Sequence, residues 1–69
     1  MTTTERTIAN IRKIMIDEKI SVRELSEKLG KSQSATSGLL NQKNISLEML
    51  DTICKSLNYN LEINISKND

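Results

Sequence analysis

The chain has 69 residues, a net charge of +1 and 36% apolar residues, which suits one small domain near the lower limit for a self-sufficient core. Tyr59 is the only aromatic residue, so that core has to be built from Ile, Leu, Met and Val. A single cysteine excludes an internal disulfide, the absence of His removes the usual metal ligand and general base, and no apolar run has the length of a membrane span or a signal-peptide core.

In chain order, Met1 to Thr3 are expected to fray, with one of the threonines capping a first helix. From Thr4 to about Glu18, Ile8, Ile11 and Met15, with Ile14 beside them, recur at helical spacing. Arg6, Arg12, Lys13 and Asp17 fall on the wet face. Lys19 to Ser21 is a short connection whose Ile20 can staple onto the next helix. Ser21 followed three residues later by Glu24 is a capping-box start, and Leu25 and Leu29 carry the apolar face onward. Gly30 fits the end of this second helix because it enters the left-handed region without a Cβ penalty. Ser32 caps a third helix running to about Asn41, with Thr36, Leu39 and Leu40 turned toward the core. Two short helices around a tight Gly-containing turn form a helix-turn-helix, whose second helix can lie in the major groove of DNA.

Asn41 to Ile45 is a polar loop. Ser46 caps a fourth helix, with Glu48 in its first turn where it favours the helix dipole. Leu47, Leu50, Cys54 and Leu57 form its stripe with Ile53 alongside, so Cys54 is expected to be a small buried apolar residue. After Asn58 the period drops to two: Asn60 to Ile65 alternates polar and apolar, a strand pattern. A lone strand is not stable and the chain offers no second one. Its partner therefore comes from another copy, or else Leu61, Ile63 and Ile65 merely pack on the helices; we expect the former. Residues 1–69 then form a single domain, with a helical core over 4–58, a dimerising strand over 59–65 and a polar tail from Ser66 to Asp69.

Charge is unevenly distributed. Residues 21–44 carry four basic and two acidic residues, whereas 45–69 carry two and four. No acid lies between Lys28 and Glu48, and Lys31 and Lys43 flank the third helix. A polyanion meets its least repulsion there.

The stretch Ser21 to Asn41 resembles the helix-turn-helix of the Cro and lambda-repressor superfamily of bacterial and phage DNA-binding regulators. Counting from Val22, the small residue at the fifth position is Ser26, the Gly at the ninth is Gly30, and the late apolar pair is Leu39 and Leu40. The likeness runs from roughly Ile8 to Leu57. It implies an all-α, lambda-repressor-like domain of four to five helices, here with a short C-terminal β-strand of the kind some relatives pair across a dimer. Three positions depart from the pattern. Thr36 stands where buried Val or Ile is usual, Lys31 where an apolar residue is frequent, and Met15 and Leu40 where many relatives carry an Arg and a Glu that pair.

The expected function is sequence-specific binding of double-stranded DNA by a small homodimeric transcriptional regulator, a repressor, on a pseudo-palindromic operator. Gln33, Ser34, Ser37, Gly38 and Asn41 lie on one continuous face of the third helix, and Ser32 starts it. Uncharged polar side chains of this kind suit base-edge hydrogen bonds, and Gln33 can pair with both edges of an adenine. The resemblance implies that positions matching Gln33 and Ser34 reach bases. Lys43 and Asn44 in the following loop would hold phosphate or a neighbouring base edge. Gly38 costs about 1 kcal/mol of helix propensity, which close approach to the duplex would explain. Dimerisation is assigned to Leu61, Ile63 and Ile65. A second reading uses the same fold to bind a protein, as an antitoxin or a phage-encoded interaction module. No enzyme, metal or cofactor is expected, because the nine acids are scattered and no nucleophile has a base. The location implied is the cytoplasm of a bacterium or of a phage-infected cell.

Overall fold

Four serine and threonine hydroxyls set the starts of four helices. The computed structural model describes residues 2–63 together with 65 and 66. Helix α1 spans Thr3–Asp17, α2 Val22–Leu29, α3 Gln33–Leu40 and α4 Leu47–Ser56. Thr2, Ser21, Ser32 and Ser46 each accept a hydrogen bond from the backbone N–H three residues on, at 3.1 Å. In α1 and α2 the cap is reciprocal, since Glu5 and Glu24 reach back to the N–H of Thr2 and Ser21. The first cap is thus Thr2, and the helix begins at Thr3, earlier than the expected Thr4. The expected fraying of Met1, the outward face of Asn64 and the tail beyond Ser66 lie outside the described residues.

Three of the helices end alike. After α1 the N–H of Ile20 reaches the Met15 carbonyl at 2.8 Å and that of Lys19 the Ile16 carbonyl at 3.2 Å. After α2, Lys31 and Gly30 bond back to Ser26 and Glu27, and after α4, Tyr59 and Asn58 bond back to Cys54 and Lys55. Each pair is the two-bond Schellman closure, with a residue in the left-handed region at its pivot. Those pivots are Lys19 (φ 56°), Gly30 (φ 68°) and Asn58 (φ 66°). The left-handed region suits Gly, is tolerated by Asn, and costs Lys on the order of 1 kcal/mol.

Packing joins α2 to α3 and α4, and α1 to α4. The core comprises Ile8, Ile11, Met15, Leu25, Leu40, Leu50, Ile53, Cys54 and Leu57, with Ile14, Ile20, Val22, Leu29, Ile45, Met49 and Leu61 half-buried around it. Met15 and Leu40 are both buried here. Two buried apolar residues of one core cluster thus stand where a paired Arg and Glu would have to be desolvated, a replacement that costs little or nothing.

Thr36 is fully buried at 0% exposure, and its hydroxyl donates to the Ser32 carbonyl at 3.0 Å. Buried Ser26 donates in the same way to Val22 at 2.7 Å. Neither hydroxyl is left without a partner, which is why a polar residue is tolerated in the heart of the motif.

Two expected core residues are not there. Leu47 is 57% exposed, because it opens α4 and points away from the bundle; the buried stripe is Leu50, Ile53, Cys54 and Leu57. Leu39 is half-buried and lies outside the core cluster, since successive helical residues diverge by about 100° and Leu40 takes the inward direction.

Among the described residues there is no strand. Residues 60–63 and 65–66 follow α4 as irregular chain. Leu61 is half-buried against the core, Ile63 is 50% exposed and Ile65 98% exposed. Tyr59 donates its hydroxyl to Glu18, tying the start of this segment to the end of α1. That bond, and after it some burial and the carboxylates of Glu18 and Asp17, push the phenol's pKa above its usual value.

Candidate nucleic-acid interface

The site is the outer surface of α3. Ser32 holds the helix start with its side chain on the Ala35 N–H, and the same residue's carbonyl receives the Thr36 N–H at 3.0 Å. An eight-residue helix is about 12 Å long, close to the width of the major groove. Burial of Thr36 and Leu40 fixes its rotation about its own axis. The opposite side then has to carry Gln33, Ser34, Ser37, Gly38 and Asn41, and all five are exposed. Among the described residues the side chains of Gln33, Ser34 and Ser37 make no hydrogen bond within the chain. They stand in water as an uncharged set of donors and acceptors.

Gly38 has a specific meaning in this setting. A Cβ built on it meets nothing within 4 Å. Its φ is also not in the left-handed region, in contrast to Gly30. Neither packing nor backbone conformation within the chain requires glycine at this place.

Lys43 and Asn44 are exposed in the loop after α3, and Lys31 is exposed in the turn before it. The structure therefore brings Ser32, Gln33, Ser34, Ser37 and Asn41 onto one helix and its caps, with Lys43 and Asn44 immediately beyond its C-terminal end. Leu61, Ile63 and Ile65 belong to a separate segment, after α4.

One participant carries no local signal in the sequence. Arg12, on α1, donates through Nη2 to the Leu40 carbonyl at 3.0 Å and to Asn41 Oδ1 at 2.9 Å. A cation there satisfies a carbonyl that the helix end leaves open and complements the negative end of the α3 dipole. Its pairing crosses 28 residues of sequence, so only the tertiary fold displays it. Arg12 and Lys43 also line one groove with Asn41 at the end of α3. Glu5 lines that groove too, its carboxylate engaged at the Thr2 N–H.

Cys54 takes no part in the site. It is buried, and burial first and the Asp51 carboxylate second push its thiol pKa up, away from the reactive thiolate. Among the described residues no cluster of His, Cys, Asp and Glu could hold a metal ion, and no helix is long and apolar enough to cross a membrane.

With this geometry in view, residues 10–62 match a family model described as a Cro/C1-type HTH DNA-binding domain, a span that takes in all of α2, α3 and α4. No curated protein and no solved structure matches the chain.

Proposed function

Because the chain belongs to the Cro/C1-type helix-turn-helix DNA-binding family, we propose that it is a small homodimeric repressor that reads a pseudo-palindromic operator with α3. The observation that carries this reading is the exposed, uncharged face of Gln33, Ser34, Ser37, Gly38 and Asn41 on a helix whose other side is locked into the core. Gln33 is assigned to an adenine, and Ser32, Ser34 and Ser37 to nearby base edges or phosphates. Asn44 and Lys43 meet the backbone, and Lys43 contributes to affinity for every sequence alike.

The acid-free stretch between Lys28 and Glu48 supports the same orientation toward DNA. We assign the whole of residues 1–69 to a single domain without catalytic function, acting in the cytoplasm of a bacterium or of a phage-infected cell.

Dimerisation is assigned to residues 59–65. Ile63 and Ile65 are exposed apolar side chains in a segment of alternating polarity, a hazard for a free chain. Pairing two such segments antiparallel about a two-fold axis gives each a strand partner and covers the apolar side. The same axis sets two α3 helices on one face, about 34 Å apart, as successive major-groove half-sites require.

Selection from a randomised duplex pool tests the reading. A two-fold related consensus supports it, and recovery of no consensus, with binding insensitive to salt, favours a protein-binding role. Sedimentation of a chain lacking residues 59–69 tests the dimer separately. Monomers with little operator affinity are expected, whereas an unchanged dimer moves the interface elsewhere.

A further inference from the structure

The contact at the end of α3 has a chemical direction. Arg12 Nη2 reaches Asn41 at 2.9 Å, and a guanidinium carries only donors. The amide group facing it therefore has to be the oxygen, since the NH₂ there would set donor against donor. The same Nη2 is fixed by the Leu40 carbonyl at 3.0 Å, so Arg12 is held at the helix end independently of Asn41. Asn41 is exposed, and its other amide branch, the NH₂, has no hydrogen-bond partner among the described residues.

We propose that Arg12 is a positioning residue for DNA recognition, which turns Asn41 into a fixed hydrogen-bond donor aimed at an acceptor on the duplex. The acceptor is a base-edge oxygen or nitrogen, such as guanine O6 or N7 or thymine O4, or else a phosphate oxygen. The inference rests on the assignment of α3 as the reading helix and deepens it. A freely rotating Asn pairs with adenine by accepting from N6 and donating to N7. With its oxygen turned to Arg12, Asn41 keeps only the donating half, and adenine loses its advantage over guanine. Arg12 itself needs no contact with a base. It acts through Asn41, from a different helix and far away in sequence.

The test uses the full chain and a randomised duplex pool, with the wild type, Arg12→Ala, Arg12→Lys, Asn41→Ala and Asn41→Asp selected in parallel and each melted by circular dichroism. Failure of the wild type to enrich any sequence overturns the α3 reading, and this proposal with it. If the wild type enriches a site, Asn41→Ala is expected to lose about 10-fold to 100-fold in affinity. Asn41→Asp loses at least as much, because a carboxylate placed beside Arg12 still accepts from the guanidinium, now as an ion pair, but has no N–H to donate and repels an acceptor. For a base acceptor, Arg12→Ala admits adenine at the one position that Asn41→Ala blurs, and Arg12→Lys recovers part of the preference. For a phosphate acceptor, both Ala variants weaken all sequences alike, and a methylphosphonate at that phosphate removes the difference between Asn41→Ala and wild type. The proposal is overturned if Asn41→Asp binds as tightly as wild type. It is also overturned if Arg12→Ala lowers the melting temperature while the folded protein keeps both affinity and preference.

Discussion

On the inner side of α3, Thr36 and Leu40 are buried, and the one polar side-chain atom there has a backbone partner. On the outer side, Gln33, Ser34, Ser37 and Gly38 are exposed; among the described residues the side chains of the first three make no hydrogen bond within the chain that would explain their identity, and a Cβ built at Gly38 meets nothing within 4 Å. The inner side is accounted for by the energetics of folding: its apolar burial and its one side-chain hydrogen bond both serve the core. The outer side is not, and a run of polar residues that contributes nothing to its own fold is where an external partner is to be sought. The two glycines sharpen the contrast. Gly30 is required by a left-handed pivot inside the chain, whereas Gly38 is in ordinary helix with open space around it.

Substitutions can break this contrast in graded steps. Truncating the inner side, by Leu40→Ala, is expected to cost about 2–5 kcal/mol of stability, as removal of buried Leu side chains does. A domain of this size has little more than that in total, so thermal melts should show a large fraction unfolded; an unchanged midpoint would mean that the inner side is not packed. Gly30→Ala should cost about 1–2 kcal/mol by forcing a Cβ into the left-handed region.

Gly38→Ala should do the opposite to the fold and gain about 1 kcal/mol from better helix propensity. The same change should weaken operator binding, because the added methyl stands between the helix backbone and the duplex. A more stable Gly38→Ala protein with undiminished affinity would detach this glycine from DNA. The smallest effect is assigned to Thr36→Val, expected to change stability by less than about 1 kcal/mol. The Thr36 N–H already occupies the Ser32 carbonyl, so loss of the hydroxyl leaves no orphan acceptor. Matched melts of the wild type and this variant measure it.

Much of this arrangement was legible in the sequence because its signals are local. A Ser with Glu three residues on marks the start of α2, Gly30 marks its end, and Ser32 and Ser46 open the next two helices within a residue of where they were expected. The exposed face of α3 follows from the same periodicity. What was not legible depends on tertiary direction. Leu47 and Leu50 both fit a stripe, and only the position of α4 against α1 and α2 selects Leu50. Leu39 and Leu40 are adjacent, and the orientation of α3 admits one of them. Lys19 and Asn58 close helices without a glycine to announce the turn. Arg12 looks like any solvated cation until α3 is brought beside it. The alternation of Asn60 to Ile65 is plain in the sequence, but a strand is a relation between two segments, and a single chain supplies one.

The central claim, that the outer side of α3 reads bases, is tested most directly at Gln33. Binding of wild type and Gln33→Ala to the selected operator and to a scrambled duplex should be compared by fluorescence anisotropy at two salt concentrations, with thermal midpoints measured on the same samples. The expected result is an unchanged midpoint, a loss of about 1–3 kcal/mol on the operator, and no loss on the scrambled duplex. An operator affinity equal to that of wild type, or an equal loss on both duplexes, would contradict the assignment of α3 as the reading helix.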